Sequence, residues 1–229
     1  EFSKARGEFT EKLASLADMY VNDAFGAAHR DHCATCGVTK YLKPAAAGFL
    51  IDKELKYLKE ALDSPKRPLV AILGGAKVGS KIGVIRALLD KVDTLILGGG
   101  MTYTFFKAQG KEIGNSLFDD ESFETAKQLL KEFENAKADV VLPEDVLVAD
   151  DFKAGANTKV VDVDSIPSDM EGIDIGEKTT DQVIDILKNA GTIVWNGPVG
   201  VFEIEDFAKG TRAISDCMAE LSDSITIIG

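Results

Sequence analysis

Lys77 and Lys81 stand four residues apart, just behind the pair Gly74-Gly75 and with Gly79 between them. An ammonium group neutralises phosphate oxygens without needing a base, and glycine lets backbone N–H groups come close to a ligand. A helix starting at once would put both ammonium groups on one face, next to the partial positive charge of its N-terminus. That is equipment for gripping phosphate. It matches neither standard form. The spacing Gly74-x-x-x-x-Gly79 suits a P-loop, but Ser80-Lys81 follows where Lys-Ser or Lys-Thr is required. The dinucleotide pattern G-x-G-x-x-G is absent too. The competing reading is an ordinary strand-to-helix turn with two solvated lysines.

Arg30 is a second candidate, since its planar fork suits bidentate recognition of phosphate or carboxylate. Its competing reading is a surface arginine paired with Asp31 next door. Cys33-Ala-Thr-Cys36 forms a C-x-x-C with His29 and His32 just before it. A zinc site would want a second ligand pair far along the chain, and a thioredoxin-like redox pair is the other functional reading. Against both stand two plain thiols, and no site is placed there.

The elements that must position these residues follow from periodicity. Leu69–Leu73 is an apolar run bounded by Pro68 and Gly74, the pattern of a strand buried on both faces of a parallel sheet. Thr94–Leu97 ends in Gly98-Gly99-Gly100, Thr192–Trp195 in Asn196-Gly-Pro-Val-Gly200, and Ser224–Ile228 in Gly229. Ligands of open α/β sheets sit beyond the carboxyl ends of the strands. Four strands discharging into glycine there would make one continuous floor for a nucleotide. Helices are predicted over 9–19, 48–62, 82–89, 117–136, 179–190 and 207–221, the fifth with Ser/Thr-type capping. Further short strands are expected at Tyr20–Gly26, Val140–Leu142, Val146–Val148 and, as an edge, Lys159–Val163. Residues 39–47 read as a loop, and Gly172-Ile-Asp-Ile-Gly176 as punctuation between elements. Strands alternating with helices of this length predict an α/β fold with a doubly wound parallel sheet.

Composition agrees. The 229 residues carry a net charge of −12, a pI near 4.7 and 45% hydrophobic content, which describes a globular domain without a basic face for nucleic acid or anionic membrane. No apolar run approaches a membrane span. Three cysteines suit a reducing compartment rather than a disulfide framework.

Several segments taken together resemble the phosphoglycerate kinase family. They are Tyr20–Arg30, Gly48–Leu55, Ala71–Val78, Leu97–Met101, Ile193–Glu203 and Thr226–Gly229, and the resemblance runs in order from Leu13 to the end, over nearly the whole chain. The resemblance implies two doubly wound domains joined by a helix, closing by a hinge, one gripping phosphoglycerate and the other a Rossmann-like nucleotide domain. On this chain that gives residues 1–47 as the end of the substrate-binding domain, 48–66 as interdomain helix and linker, and 67–229 as a nucleotide-binding domain truncated at its C-terminus. It implies phosphoryl transfer between 1,3-bisphosphoglycerate and Mg-ADP, yielding 3-phosphoglycerate and Mg-ATP. By position, Arg30 resembles the arginine that contacts the substrate, Lys77 the lysine that follows the transferring phosphoryl group, and Lys81 one on the nucleotide phosphates. Gly75 and Ala76 would lie by the nucleotide, and Gly99, Gly100 and Gly172 by adenine and ribose. Asn196, Pro198 and Val201 would line the nucleotide side, with Glu203 on the ribose hydroxyls.

The family pattern continues past Gly229 into a glycine-rich loop with a nucleotide-holding aspartate, and begins well before Glu1, which here opens into helical-looking text. The chain therefore reads as an internal segment, expected to turn over poorly alone. Expected partners are the small-molecule substrate and the adenine nucleotide, with no nucleic acid and no membrane, on a monomer. A cytoplasmic location is expected, with the plastid as alternative; Gly37–Pro44 resembles photosynthetic-lineage forms. The competing functions are another nucleotide-binding α/β protein, such as a dehydrogenase, and a non-catalytic binding module on the same scaffold.

Overall fold

The computed structural model describes residues 2–229, so Glu1 lies outside it. The chain divides into two compact units, residues 1–64 and 65–229.

In the first unit, helix α1 (Phe2–Ala14) is followed by strand β1 (Tyr20–Asn22), a short helix α2 (Phe25–Ala28), strand β2 (Ala45–Ala47) and helix α3 (Phe49–Asp63). Residues 39–47 are thus not all loop: a 3-10 turn covers Gly37–Lys40, and β2 pairs in parallel with β1, Val21 opposite Ala46. The strand expected over Tyr20–Gly26 stops at Asn22 because Asp23 turns to cap α3, accepting the Ile51 amide at 2.9 Å.

The second unit is built on a five-stranded parallel sheet. Its strands are β3 (Leu69–Leu73), β4 (Thr94–Leu97), β5 (Asp139–Val141), β9 (Thr192–Asn196) and β10 (Ile225–Ile228), in the order β10-β9-β3-β4-β5. The four glycine-terminated strands are therefore neighbours. Every residue of β3 is buried. Its Val70 and Ile72 pack with Ile193 and Trp195 of β9 against α7 (Glu177–Lys188) and α8 (Lys209–Glu220), through Val183, Leu187, Ile214 and Met218. Alternation sends Leu69, Ala71 and Leu73 to the opposite face. The helices α4 (Ile82–Leu89), α5 (Thr102–Ala108) and α6 (Phe123–Glu134) contribute buried Ile85, Phe105 and Leu129. Arg86 and Glu132 tie α4 to α6 through two bonds of 3.0 and 2.7 Å. Truncating Ile72 to alanine at the centre of this packing costs about 2–5 kcal/mol.

Three expectations need correction. The sheet is not the whole story: β6 (Asp145–Ala149) pairs antiparallel with β7 (Thr158–Asp162) and β8 (Glu171–Ile175) in a separate three-stranded sheet, in which β7 is an edge. Residues 172–176, read as punctuation, are mostly strand β8, because Ile173 and Ile175 bury their side chains while the two glycines accommodate close neighbours. The capping of α7 is also not by its own Ser/Thr residues. Asp145, from β6, accepts the amides of Lys178 and Thr179 at 3.0 and 2.8 Å and the Thr179 hydroxyl at 2.6 Å. A cap reaching back across more than thirty residues leaves no local sequence signal.

Candidate functional site

The carboxyl ends of β3, β4 and β9 meet in three interlocking turns. The Gly74 amide donates to Asn196 O at 2.9 Å, Gly75 to Pro198 O at 3.1 Å, Gly98 to Leu73 O at 2.9 Å and Gly99 to Val199 O at 2.8 Å. A Cβ on Gly74 would fall 1.9 Å from Pro198 O, and Gly75, Gly99 and Gly197 have φ of +124°, +73° and +84°. These glycines are there so that the turns can thread through one another. Their amides are consumed by neighbouring carbonyls, so the expectation that they offer N–H groups to a ligand does not hold at these four positions. The amides of Ala76, Lys77 and Val78 have no protein acceptor among the described residues.

Above this floor the three-stranded sheet forms a roof, and between them lies a cavity of about 480 Å³. Of the expected site residues, Gly75, Ala76, Gly99, Gly100 and Pro198 line its floor, Gly172 its roof, and Val201 and Glu203 its edge. Its other walls are largely apolar, with Tyr103, Leu117, Phe152 and Ile173. The Gly172 amide donates to Ser116 Oγ at 2.9 Å, and a Cβ there would fall 1.8 Å from the Tyr103 hydroxyl, so only glycine lets roof and α5 approach this closely. Val201 is fixed by its amide, which donates to Ile173 O at 2.8 Å.

A second hollow of about 450 Å³ begins at Ala76, which borders both, and is lined by Lys77, Gly79, Ser80, Asp119, Glu121 and Ser122. Lys77 and Lys81 do not share a helix face, because α4 starts only at Ile82. Lys77 faces this smaller hollow, whereas the Lys81 ammonium donates to Asn196 Oδ1, its side chain passing Gly75. Asn196 thus holds a lysine at the floor and is absent from the lining of the larger cavity. The amide of Gly79 is taken by Asp119 Oδ2 at 3.1 Å.

Two carboxyl groups flank the site in opposite electrostatic settings. Burial works to raise Asp119, but the Gly79 amide, the Ser122 hydroxyl and the Lys77 charge outweigh it and hold it below the usual carboxylate range. Asp174, on β8, is only 2% exposed and lines the apolar cavity. Its burial pushes it up to about 7, although the Gly210 amide, donating to Oδ2 at 2.7 Å, works the other way. Its Oδ1 has no hydrogen-bond partner among the described residues. Burial likewise raises Glu171 at the cavity edge, with Asp151 adding repulsion.

Sequence reasoning missed Tyr103, Leu117, Phe152, Glu171 and Asp174. The signal for Tyr103 lay in the aromatic cluster Tyr103, Phe105 and Phe106 soon after Gly98–Gly100, in the stretch that forms the unpredicted helix α5. Phe152 follows β6 in a turn and carried no pattern. Arg30, in the first unit, is exposed, and Asp31, its supposed partner, pairs instead with Arg6 at 3.1 Å. His29, His32, Cys33 and Cys36 do not gather into a metal site among the described residues. No helix among them is long and apolar enough to cross a membrane.

The family model of phosphoglycerate kinase matches residues 1–229. The chain belongs to the phosphoglycerate kinase family. Among curated phosphoglycerate kinases it is 54% identical to that of Trichodesmium erythraeum over 222 residues, covering 97% of this chain and 56% of the relative. It is 53% identical to that of Parasynechococcus marenigrum, covering all of this chain and 58% of the relative. The solved phosphoglycerate kinase of Coxiella burnetii superposes with a TM-score of 0.83 at 43% identity, over 97% of this chain and 57% of that one. That of Pyrococcus horikoshii does so with 0.79 at 29% identity. The chain thus spans a little over half the length of the phosphoglycerate kinases it matches.

Proposed function

We propose that the protein to which this chain belongs transfers a phosphoryl group between the carboxyl of phosphoglycerate and an adenine nucleotide, the reaction 1,3-bisphosphoglycerate plus Mg-ADP to 3-phosphoglycerate plus Mg-ATP. The observation that carries this reading is the pair of hollows joined at Ala76, one apolar and roofed, the other polar and headed by Lys77. A nucleotide has that same division. Its base and ribose belong between Gly99, Gly100 and Gly172, against Tyr103 and Leu117, with Pro198 and Val201 beneath and Glu203 on the ribose hydroxyls. Its phosphates belong past Gly75 and Ala76, where the free amides of 76–78, Lys77 and the Lys81–Asn196 pair supply donors and positive charge. Mg²⁺ enters with the nucleotide and spreads the phosphate charge.

Phosphoryl transfer asks little covalent chemistry of the protein; positioning and charge stabilisation do most of it. Lys77 stabilises the equatorial oxygens of the group in flight, and Arg30 grips phosphoglycerate. Asp119 beside Lys77 keeps the ammonium in place rather than acting as a base. The enzyme works as a cytoplasmic or plastid monomer on small molecules. The test is Lys77→Ala in the full-length protein. Turnover is expected to collapse while nucleotide affinity changes much less, because the contact strengthens in the transition state. Turnover within tenfold of wild type would overturn the assignment.

A further inference from the structure

Cys33 and Cys36, in the first unit, have no part in the reading of the nucleotide site, and their surroundings differ from those of ordinary buried thiols. They occupy a helical turn: the Cys36 amide donates to His32 O at 3.0 Å, the Val38 amide to Cys33 O at 2.8 Å, and Cys36 has helical φ and ψ of −103° and −42°. Residues three apart in such a turn have Cα atoms about 5 Å apart. That lies within the range of roughly 4.4–6.8 Å a disulfide spans, so the pair can close with little backbone movement. Cys36 is exposed and Cys33 half-buried, and both are free thiols.

Their chemical setting favours reaction. The Thr10 hydroxyl and then the Arg6 guanidinium hold the Cys33 thiol below its usual range, against the opposing pull of burial. Cys217, on α8, is the internal contrast: burial pushes its thiol up, away from the thiolate that disulfide exchange needs. The turn is also wired to Arg30. Thr35, between the two cysteines, donates its hydroxyl to Arg30 O at 2.5 Å and accepts the His32 amide at 3.2 Å. The His32 amide is also within 2.9 Å of Arg30 O.

We propose that Cys33 and Cys36 are a thiol–disulfide exchange site, oxidised by a disulfide of low molecular mass, whose closure shifts the turn that holds Arg30. The Cys33 thiolate attacks one sulfur of the disulfide R–S–S–R, forming a mixed disulfide and releasing RS⁻, which takes up a proton. The Cys36 thiol, giving up its proton, then attacks the Cys33 sulfur and expels the second RS⁻. Two protein thiols are oxidised and one disulfide is reduced to two thiols, so electrons and protons balance. The effect on substrate binding rests on the reading of Arg30 given above.

The experiment incubates the full-length protein with glutathione disulfide, alkylates the remaining thiols and digests with trypsin. Residues 31–40 carry both cysteines on one peptide. It is expected to escape alkylation and weigh about 2 Da less than its reduced form, reversibly with dithiothreitol, while Cys217 is alkylated in full. Phosphoglycerate binding is expected to weaken about fivefold or more on oxidation, and Cys36→Ser to abolish that response. A peptide that keeps two alkylatable thiols, or carries only a glutathione adduct, overturns the exchange site. Arg30→Ala on reduced protein separates the two readings. If it weakens phosphoglycerate binding and the disulfide does not, the coupling is overturned. If it leaves binding intact, the fault lies with the role given to Arg30.

Discussion

The two hollows that meet at Ala76 solve opposite problems with adjacent stretches of chain. The larger is roofed by β8 and walled by Tyr103, Leu117 and Phe152, so it can strip water from an apolar surface. The smaller is open and ringed by Lys77, Asp119 and Glu121, so it keeps charge solvated and in place. Their carboxyl groups show the difference most plainly. Asp119, supplied with an amide, a hydroxyl and a lysine, stays charged in spite of partial burial. Asp174, buried with one oxygen unpartnered among the described residues, is pushed up to about 7. The lesson is that polarity alone does not set a carboxylate's state; the donors facing it do. In functional terms, residues of the smaller hollow should govern turnover and residues of the larger should govern nucleotide affinity.

That separation can be broken in several places. The largest effect is expected from Lys77→Ala in the full-length protein, with kcat falling about 10²–10³-fold and the Kd for Mg-ADP less than threefold, read by coupled assay and calorimetry. Equal losses in both would merge the two hollows into one function. Next comes Asp174→Asn. The folded protein keeps this proton up to about pH 7. The unfolded chain releases it near pH 4, so the stability owed to the protonated form is full below that and is lost as pH rises to about 7. The asparagine variant should therefore gain on wild type between pH 4 and 7, by up to about 4 kcal/mol in denaturant unfolding, and run parallel to it above. A constant difference across that range would contradict the burial argument. Gly172→Ala drives a methyl group into the Tyr103 hydroxyl and should cost about 1–3 kcal/mol of stability. It should also weaken Mg-ADP binding without lowering kcat at saturation. Leu117→Ala, at a half-open wall, should weaken Mg-ADP about threefold to tenfold by removing apolar contact, again with kcat kept.

Much of this was legible in the sequence, and the reasons are local. The run Leu69–Leu73 reads as a doubly buried strand because nothing polar interrupts it, and the glycines behind four strands mark the sheet's working end. Their meaning was legible only in part. Gly74 and Gly99 looked like ligand-facing amides, but they are glycines because Pro198 O and Gly75 N leave no room for a Cβ. Which backbone passes which is a property of three turns far apart in sequence. The antiparallel roof was illegible for a similar reason. Strand β8 is short, with Glu171, Asp174 and two glycines in or beside it, and resembles a turn until β6 pairs with it across a register shift at Leu147/Val148. The cap of α7 by Asp145 and the wall residue Phe152 likewise depend on partners that no window of sequence contains.

The central claim is that base and phosphates occupy different hollows, and amide NMR of the labelled chain titrated with adenosine and then with Mg-ADP tests it most directly. Adenosine should shift the amides of Gly100 and Gly172 and leave those of Ala76, Lys77 and Val78 in place, while Mg-ADP should move both sets. Shifts of Ala76–Val78 by adenosine alone, or no response of Gly172 to either ligand, would contradict it.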